Sequence, residues 1–321
     1  STVAQIQYQR DYGTPLQLQI LRSRLTALLR YAERGEEQRR QVATTRRLLG
    51  NTLKRLTGQL AGLENPRVIQ RKEQEEAAFR KAVNSKPEWQ RAFGDPWGMI
   101  ETIYRQMPVN GKRMAYSNLT PSRLGTLASL FARYAEEIGK PNEQRYEEFR
   151  DERLKNLRFN LLSPAPIYPA LEEAVLSAWL ANAQQALGAN DPFVKVALNG
   201  STPAAVAQTA IQGTQLHKLD FRQALLDQGA VAIAKSDDPL LVLARRVEPI
   251  IRQLRTWNDE QVVPVETTAG ERLANARFAV YGKTAYPDAN FSLRLTYGTV
   301  AGYEEEMKPV PYKTTLFGLF E

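Results

Sequence analysis

YPDANFSLRLTYG, Tyr286 to Gly298, is the stretch whose reading decides the fold. From Phe291 the residues alternate. Phe291, Leu293 and Leu295 point one way, and Ser292, Arg294 and Thr296 the other, the period-two pattern of a half-buried strand. Tyr286-Pro287-Asp288 is turn chemistry before it, and Gly298 stops it. Almost everything upstream reads as helix. A long helical body therefore delivers the chain to a strand with too few partners, which marks the chain as part of something larger.

The helical reading rests on a recurring device. A capping residue precedes proline at Thr14-Pro15, Asn65-Pro66, Asp95-Pro96, Thr120-Pro121, Asp191-Pro192, Thr202-Pro203 and Asp238-Pro239. The cap's side-chain oxygen accepts from open amides of the first turn, and proline at the first helical position gives up an amide that has no partner there. Helices are expected at Pro15 to Arg34, Glu36 to Leu60 and Pro66 to Val83, the first two as an antiparallel pair. Lys86 to Met107 reads as two short helices broken at Gly94-Asp95-Pro96. Further helices are expected at Pro121 to Ile138, Pro141 to Leu161, Tyr168 to Leu187, Pro192 to Leu198, Pro203 to Gln212 and Asp220 to Gln228. The last helical region runs from Pro239 to Ala274, interrupted or kinked by Pro249 and Pro264. Arg277 to Tyr281 (RFAVY) and Thr299 to Tyr303 read as strands flanking Tyr286 to Gly298. Phe317, Leu319 and Phe320 at the end need something to cover them. The fold class is mainly α, a multi-helix domain followed by a few β-strands.

Composition narrows the chemistry. At 321 residues, 43% hydrophobic and 24% charged, the chain is of globular type. No apolar run approaches the roughly 20 residues of a membrane helix. The opening STVAQIQYQR has neither Met nor the basic-then-apolar order of a signal peptide. There is no cysteine and a single histidine, which excludes thiolate and multi-histidine metal sites. Neither a cofactor nor a metal is expected. The net charge is +8, and Ser1 to Arg80 holds about 15 basic against about 8 acidic residues. That asymmetry suits a polyanion partner or a solvated helical face. Its only aromatics are Tyr8, Tyr12, Tyr31 and Phe79, so the interleaving of a single-strand nucleic-acid binder is missing.

Catalytic constellations are hard to assemble. His217 is the only histidine base, with Asp220 three residues on, and no Gly-x-Ser-x-Gly elbow accompanies it. Phosphate-cradling glycine motifs are absent. The carboxylate pairs Glu147-Glu148, Glu172-Glu173 and Glu304-Glu305-Glu306 need convergence in a cleft to do acid–base work, and solvated surfaces explain them equally. Asn51 stands out because it sits mid-helix, where its side chain competes for the backbone. It is either a tolerated surface asparagine or a residue with work to do.

The YPDANFSLRLTYG stretch resembles a signature of the bacterial serine dipeptidyl-peptidases, serine peptidase family 46. That family reads Tyr-Pro-Asp-Ala-Thr-Phe-Thr-Leu-Arg-Leu, then Tyr-Gly, then Gly-Tyr. Tyr286 to Ala289, Phe291, Leu293 to Leu295, Tyr297-Gly298 and Gly302-Tyr303 are in step, and Asn290 and Ser292 stand where threonine is usual. Ser236 to Pro239, Ala276 to Phe278, Tyr281-Gly282, Lys140-Pro141 with Arg145, and Asp95 to Trp97 extend the likeness over most of the chain.

The resemblance implies a chymotrypsin-like double β-barrel interrupted by a large helical domain. The triad His and Asp precede the helical insertion and the nucleophilic Ser follows it. Residues 1–275 then correspond to a helical cap, and residues 276–321 to the first strands of the returning barrel, incomplete here. No triad member is expected in this chain. The family's Asn-x-Trp-Lys falls on Asn51, Leu53 and Lys54, with leucine in place of tryptophan. The family asparagine holds the free amino group of the peptide, a role an amide oxygen can fill. The implied function is the substrate cap of an enzyme that removes dipeptides from free amino ends. Its partners are an oligopeptide and the rest of the barrel, with nucleic acid disfavoured, no membrane partner and a homodimer left open. Periplasmic or secreted localisation is implied by the family alone. A stand-alone basic helical binding module and a catalytically inactive scaffold are the alternatives.

Overall fold

Five of the seven cap-proline pairs start helices in the way the chemistry dictates. In the computed structural model, which describes residues 2–282, 297–305, 308–313 and 315–316, Asn65 accepts from the Arg67 amide at 3.0 Å. Asp95 accepts from Gly98 at 2.9 Å, Asp191 from Phe193 at 2.8 Å and Thr202 from Ala205 at 3.2 Å. Asp238 takes both Leu240 at 3.1 Å and Leu241 at 3.2 Å. Thr120 is not a cap; Ser122 caps the helix that follows, through the Gly125 amide at 3.0 Å.

Thr14 is the other exception. Helix α1 (Val3–Tyr8) continues through a π-helical turn, Gln9–Gly13, into α2 (Thr14–Ala32). The Thr14 amide reaches back five residues to the Gln9 carbonyl. Pro15 comes directly after that wide turn. A proline ring in a regular helix clashes with the carbonyl four residues back, and the extra residue of a π turn moves that carbonyl aside. The same device recurs near the other end of the helical body. There the Val263 amide reaches the Asn258 carbonyl across the turn Asn258–Val262, and Pro264 follows.

The remaining helices are α3 (Glu36–Glu64), α4 (Pro66–Asn84), α5 (Pro87–Phe93), α6 (Pro96–Tyr104), α7 (Met107–Tyr116), α8 (Arg123–Glu137) and α9 (Asp151–Leu161). They continue with α10 (Pro169–Leu187), α11 (Pro192–Leu198), α12 (Pro203–Gly213), α13 (Leu219–Lys235), α14 (Pro239–Trp257) and α15 (Val263–Tyr281). Mainly α is thus the fold class. Two expectations fail by segment. Pro141 to Leu161 is not one helix: two 3-10 turns, Asn142–Gln144 and Glu147–Phe149, precede α9. Buried Glu137 draws the Tyr146 amide at 2.9 Å, and Arg145 donates to the Lys140 and Ile138 carbonyls, so helical bonding is pre-empted. RFAVY is not a strand either, because α15 runs through it. Leu273, Ala276 and Val280 recur at helical spacing and pack with Val83 and Trp97, and that tertiary contact overrides β-propensity.

The chain divides into two compact units, Ser1–Val280 and Tyr281–Glu321. In the first, α8, α10, α12 and α14 surround the main core, where Phe131, Leu176, Trp179, Phe193 and Leu240 are buried. Burying each such side chain is worth about 1.5–3 kcal/mol. The α2–α3 pair is antiparallel as expected: Tyr31 donates to Gln41 at 2.7 Å beside the connection, and the turn Gln9–Gly13 meets α3 farther along. Leu28, Tyr31, Ala32 and Val42 seat this pair on Leu171 and Val175 of α10.

In the second unit, β1 (Tyr303–Glu305) and β2 (Lys308–Val310) pair antiparallel, Tyr303 opposite Val310. The expected strand over Thr299 to Tyr303 begins only at Tyr303, where the ladder to β2 starts. The expected strand at Phe291 to Thr296 and the terminal Phe317, Leu319 and Phe320 lie outside the described residues.

Candidate functional site

Helix α3 divides its faces by sequence. Val42, Leu49 and Leu56 recur every seven residues; Val42 and Leu49 pack with residues of α2 and α10, and Val42 and Leu56 are buried. Asn51 is offset by about 200° from Leu49 at 100° per residue. It is exposed in the middle of the helix. It makes no hydrogen bond among the described residues. The neighbouring Thr52 satisfies its own hydroxyl on the Leu48 carbonyl at 3.0 Å. Leu48 is 61% exposed beside it. A side chain added at Gly50 meets nothing within 4 Å. Asn51 is therefore a free donor–acceptor pair on an open surface, flanked one turn away by Arg47, Lys54 and Arg55.

The other sequence candidates are engaged in structure. His217 lies in the turn before α13, its Nδ1 3.1 Å from the Thr214 carbonyl. A carbonyl only accepts, so Nδ1 carries the proton there, and Asp220 is not its partner. Glu147 pairs with Arg153 at 3.1 Å and Glu148 with Arg255 at 2.6 Å. Glu172 is buried and caps α8, accepting from the Ser122 hydroxyl at 2.7 Å and the Leu124 amide at 3.0 Å. Glu173 accepts from Gln212 at 3.2 Å. These neighbours in sequence diverge in space, so they form no acid–base pair. Glu304 is exposed on β1, and the side chains of Glu305 and Glu306 are outside the described residues.

Charge in the first quarter is partly consumed. Arg10 pairs with Asp11, Arg40 with Glu37, Lys72 with Glu75, and Arg80 with both Glu76 and Glu101. Sequence reasoning missed a larger ionic network. Arg133 reaches Glu248 at 2.7 Å, and Arg252 and Lys140 reach Glu137 at 2.7 and 2.6 Å. The Arg255 guanidinium lies 3.5 Å from the centre of the Tyr146 ring. Arg245, Glu248, Arg252 and Arg255 follow helical spacing along α14, a signal that was legible as a charged stripe. Among the described residues no cluster of acidic or histidine side chains is arranged to hold a metal, and no helix is long and apolar enough to cross a membrane.

The chain belongs to the Peptidase S46 family, whose family model matches residues 1–321. It is 27% identical over 279 residues to dipeptidyl-peptidase 7 of Porphyromonas endodontalis, a match that spans 84% of this chain and 33% of that protein. Its fold is similar to the crystal structure of Porphyromonas endodontalis DPP11, with a TM-score of 0.60 at 15% identity over 100% of this chain and 46% of that one. The same protein in complex with the dipeptide Arg-Glu aligns with a TM-score of 0.65 at 16% identity, again over 100% of this chain and 46% of that one. The chain thus spans less than half the length of these relatives.

Proposed function

We propose that the chain is the substrate-capping helical domain of a serine-type dipeptidyl-peptidase. Its helical body covers the cleft, and the residues after α15 return to the β-barrel that carries the nucleophile. In this reading the triad lies outside these residues, the substrate is an oligopeptide with a free amino end, and the enzyme is periplasmic or secreted. Acyl transfer to serine needs no cofactor. Family membership across the whole chain supports the reading, and the observation that carries it is Asn51, held bare in the middle of α3.

The amide oxygen of Asn51 accepts from the peptide ammonium, fixing the distance from amino end to scissile bond, while the helical wall bars longer extensions. Lys54 and Arg55 stand one turn away, and like charge at 4 Å costs about 1 kcal/mol in water. The reading therefore requires acceptors from the rest of the enzyme to complete the ammonium site.

Steady-state kinetics of the full-length enzyme on a fluorogenic dipeptidyl substrate provide the test. A hydrogen bond to a charged group is worth about 1.5–3 kcal/mol. Asn51→Ala should thus lower kcat/KM by about 10- to 100-fold for a free amino end. The same substrate carrying an acetylated amino end should be cut poorly by both forms. An unchanged preference for the free amino end in Asn51→Ala would sink the assignment.

A further inference from the structure

On the face of α3 turned away from Asn51, a cleft of about 230 Å³ opens between α2, α3 and α10. Leu28, Leu49, Leu171 and Val175 form apolar walls, and Ser23, Thr45 and Asn182 add polar groups. Arg24 lines it and is half-buried. Several arginines of the helical body find partners as they lose water: Arg133, Arg252 and Arg255 find carboxylates, and buried Arg222 donates to the Leu161 and Ser163 carbonyls, whereas the buried Nε of Arg150 has no partner. Arg24 has no hydrogen bond and no ion pair among the described residues.

The other charges around the cleft are spoken for. Arg123 donates to the Pro166 carbonyl at 3.0 Å and the Ser163 hydroxyl at 3.3 Å. Glu172 is held by the start of α8 and does not reach Arg24. Burial holds the Arg24 guanidinium below its ordinary pKa, the mark of a cation that has given up water without gaining an anion.

We infer that this cleft binds a small organic carboxylate with an apolar body, its carboxylate on Arg24 and its body against Leu28, Leu49, Leu171 and Val175. A guanidinium presents two parallel N–H donors that match a planar carboxylate. A cavity of this size with apolar walls and few convergent polar groups has the character of a small-molecule pocket. Inorganic phosphate would leave the apolar walls wet and unused. The site stands apart from Asn51, and a ligand without an amino group distinguishes the two.

Calorimetric titration of the full chain with 3-phenylpropanoate, 3-phenylpropanamide and inorganic phosphate tests it. The acid should bind, with the amide and phosphate each about tenfold weaker or worse, because the amide loses the charge-assisted pair and phosphate loses the apolar contact. Arg24→Gln and Arg24→Leu should abolish the preference for acid over amide. Arg24→Lys should weaken it, and Asn51→Ala should leave it intact. Thermal unfolding of the Arg24 variants confirms their fold, and Arg24→Leu should match or exceed the parent. Equal affinity for acid and amide, phosphate binding as tightly as the acid, or full binding by folded Arg24→Gln would overturn the assignment.

Discussion

Glu137 and Glu248 are both buried and both meet arginine, yet they shift in opposite directions. Burial pushes Glu137 up, but donation from Lys140, the Tyr146 amide and Arg252 outweighs it and holds the carboxyl below its ordinary range. Burial also pushes Glu248 up, and there it prevails, because Arg133 is the single donor and Oε2 has no partner. The number of donors, not the presence of an arginine, decides the sign. Since the folded-state pKa of Glu137 is depressed, its stabilisation is present above the ordinary carboxylate value of about 4.3 and is lost as pH falls through the depressed one. Urea unfolding of Glu137→Gln should show a loss of about 3–5 kcal/mol at pH 7, shrinking at pH 3. The folded-state pKa of Glu248 is raised, so ionising it takes stability away as pH climbs from about 4.3 through the raised value. Glu248→Gln should flatten that part of the stability–pH curve, and an unaltered slope would contradict the assignment. The charged stripe along α14 was legible in the sequence. Which carboxylate gained three donors and which one was decided by the packing of α14 on α8 and on the 3-10 turns.

Helix boundaries show where local chemistry suffices. Asn65, Asp95, Asp191, Thr202 and Asp238 capped as read, because the cap and the proline act within four residues of each other. Asp238 does more than its sequence position suggests. It is buried, caps α14, and accepts from the Thr214 hydroxyl at 2.9 Å and the Gln215 amide at 2.8 Å, tying the end of α12 to the start of α14. Gly213 permits that approach, since a Cβ there would meet Pro239 at 2.7 Å. Asp238→Ala strands four donors and should lose more than the roughly 0.5–2 kcal/mol of a simple cap. Asp238→Asn should recover part of it, and the midpoint of thermal unfolding reads both. Thr14-Pro15 misled the sequence reading, whereas the interruption expected at Pro264 is present as the π turn Asn258–Val262 just before it. Proline ordinarily starts or breaks a helix, but a preceding π turn lets it sit inside a long rod. That turn takes five residues ahead of the proline dipeptide, so the dipeptide alone does not encode it.

Across the whole helical body the apolar residues separate into one large core and two smaller clusters. The α4–α6–α15 cluster has few members, Val83, Trp97 and Ala276 with Phe79, Trp89 and Phe93 around them. Local opening is cheapest where few apolar contacts are broken. Native-state hydrogen exchange should therefore find amides of α4, α5 and α15 exchanging through a lower-energy opening than those of α8, α10 and α14. Uniform protection across both sets would refute the division. By itself the sequence determined the mainly helical class, most helix starts, the antiparallel α2–α3 pair and the likeness to the peptidase family, because caps, prolines and hydrophobic periodicity act within a turn or two of the chain. Tertiary structure alone decided that RFAVY is helix, that Asn51 faces outward without a partner, that the carboxylate pairs diverge, and that Arg24 borders an apolar cleft without a counter-charge. Each of these depends on what side chains from distant elements bury and leave unpaired, and local sequence does not encode those distances.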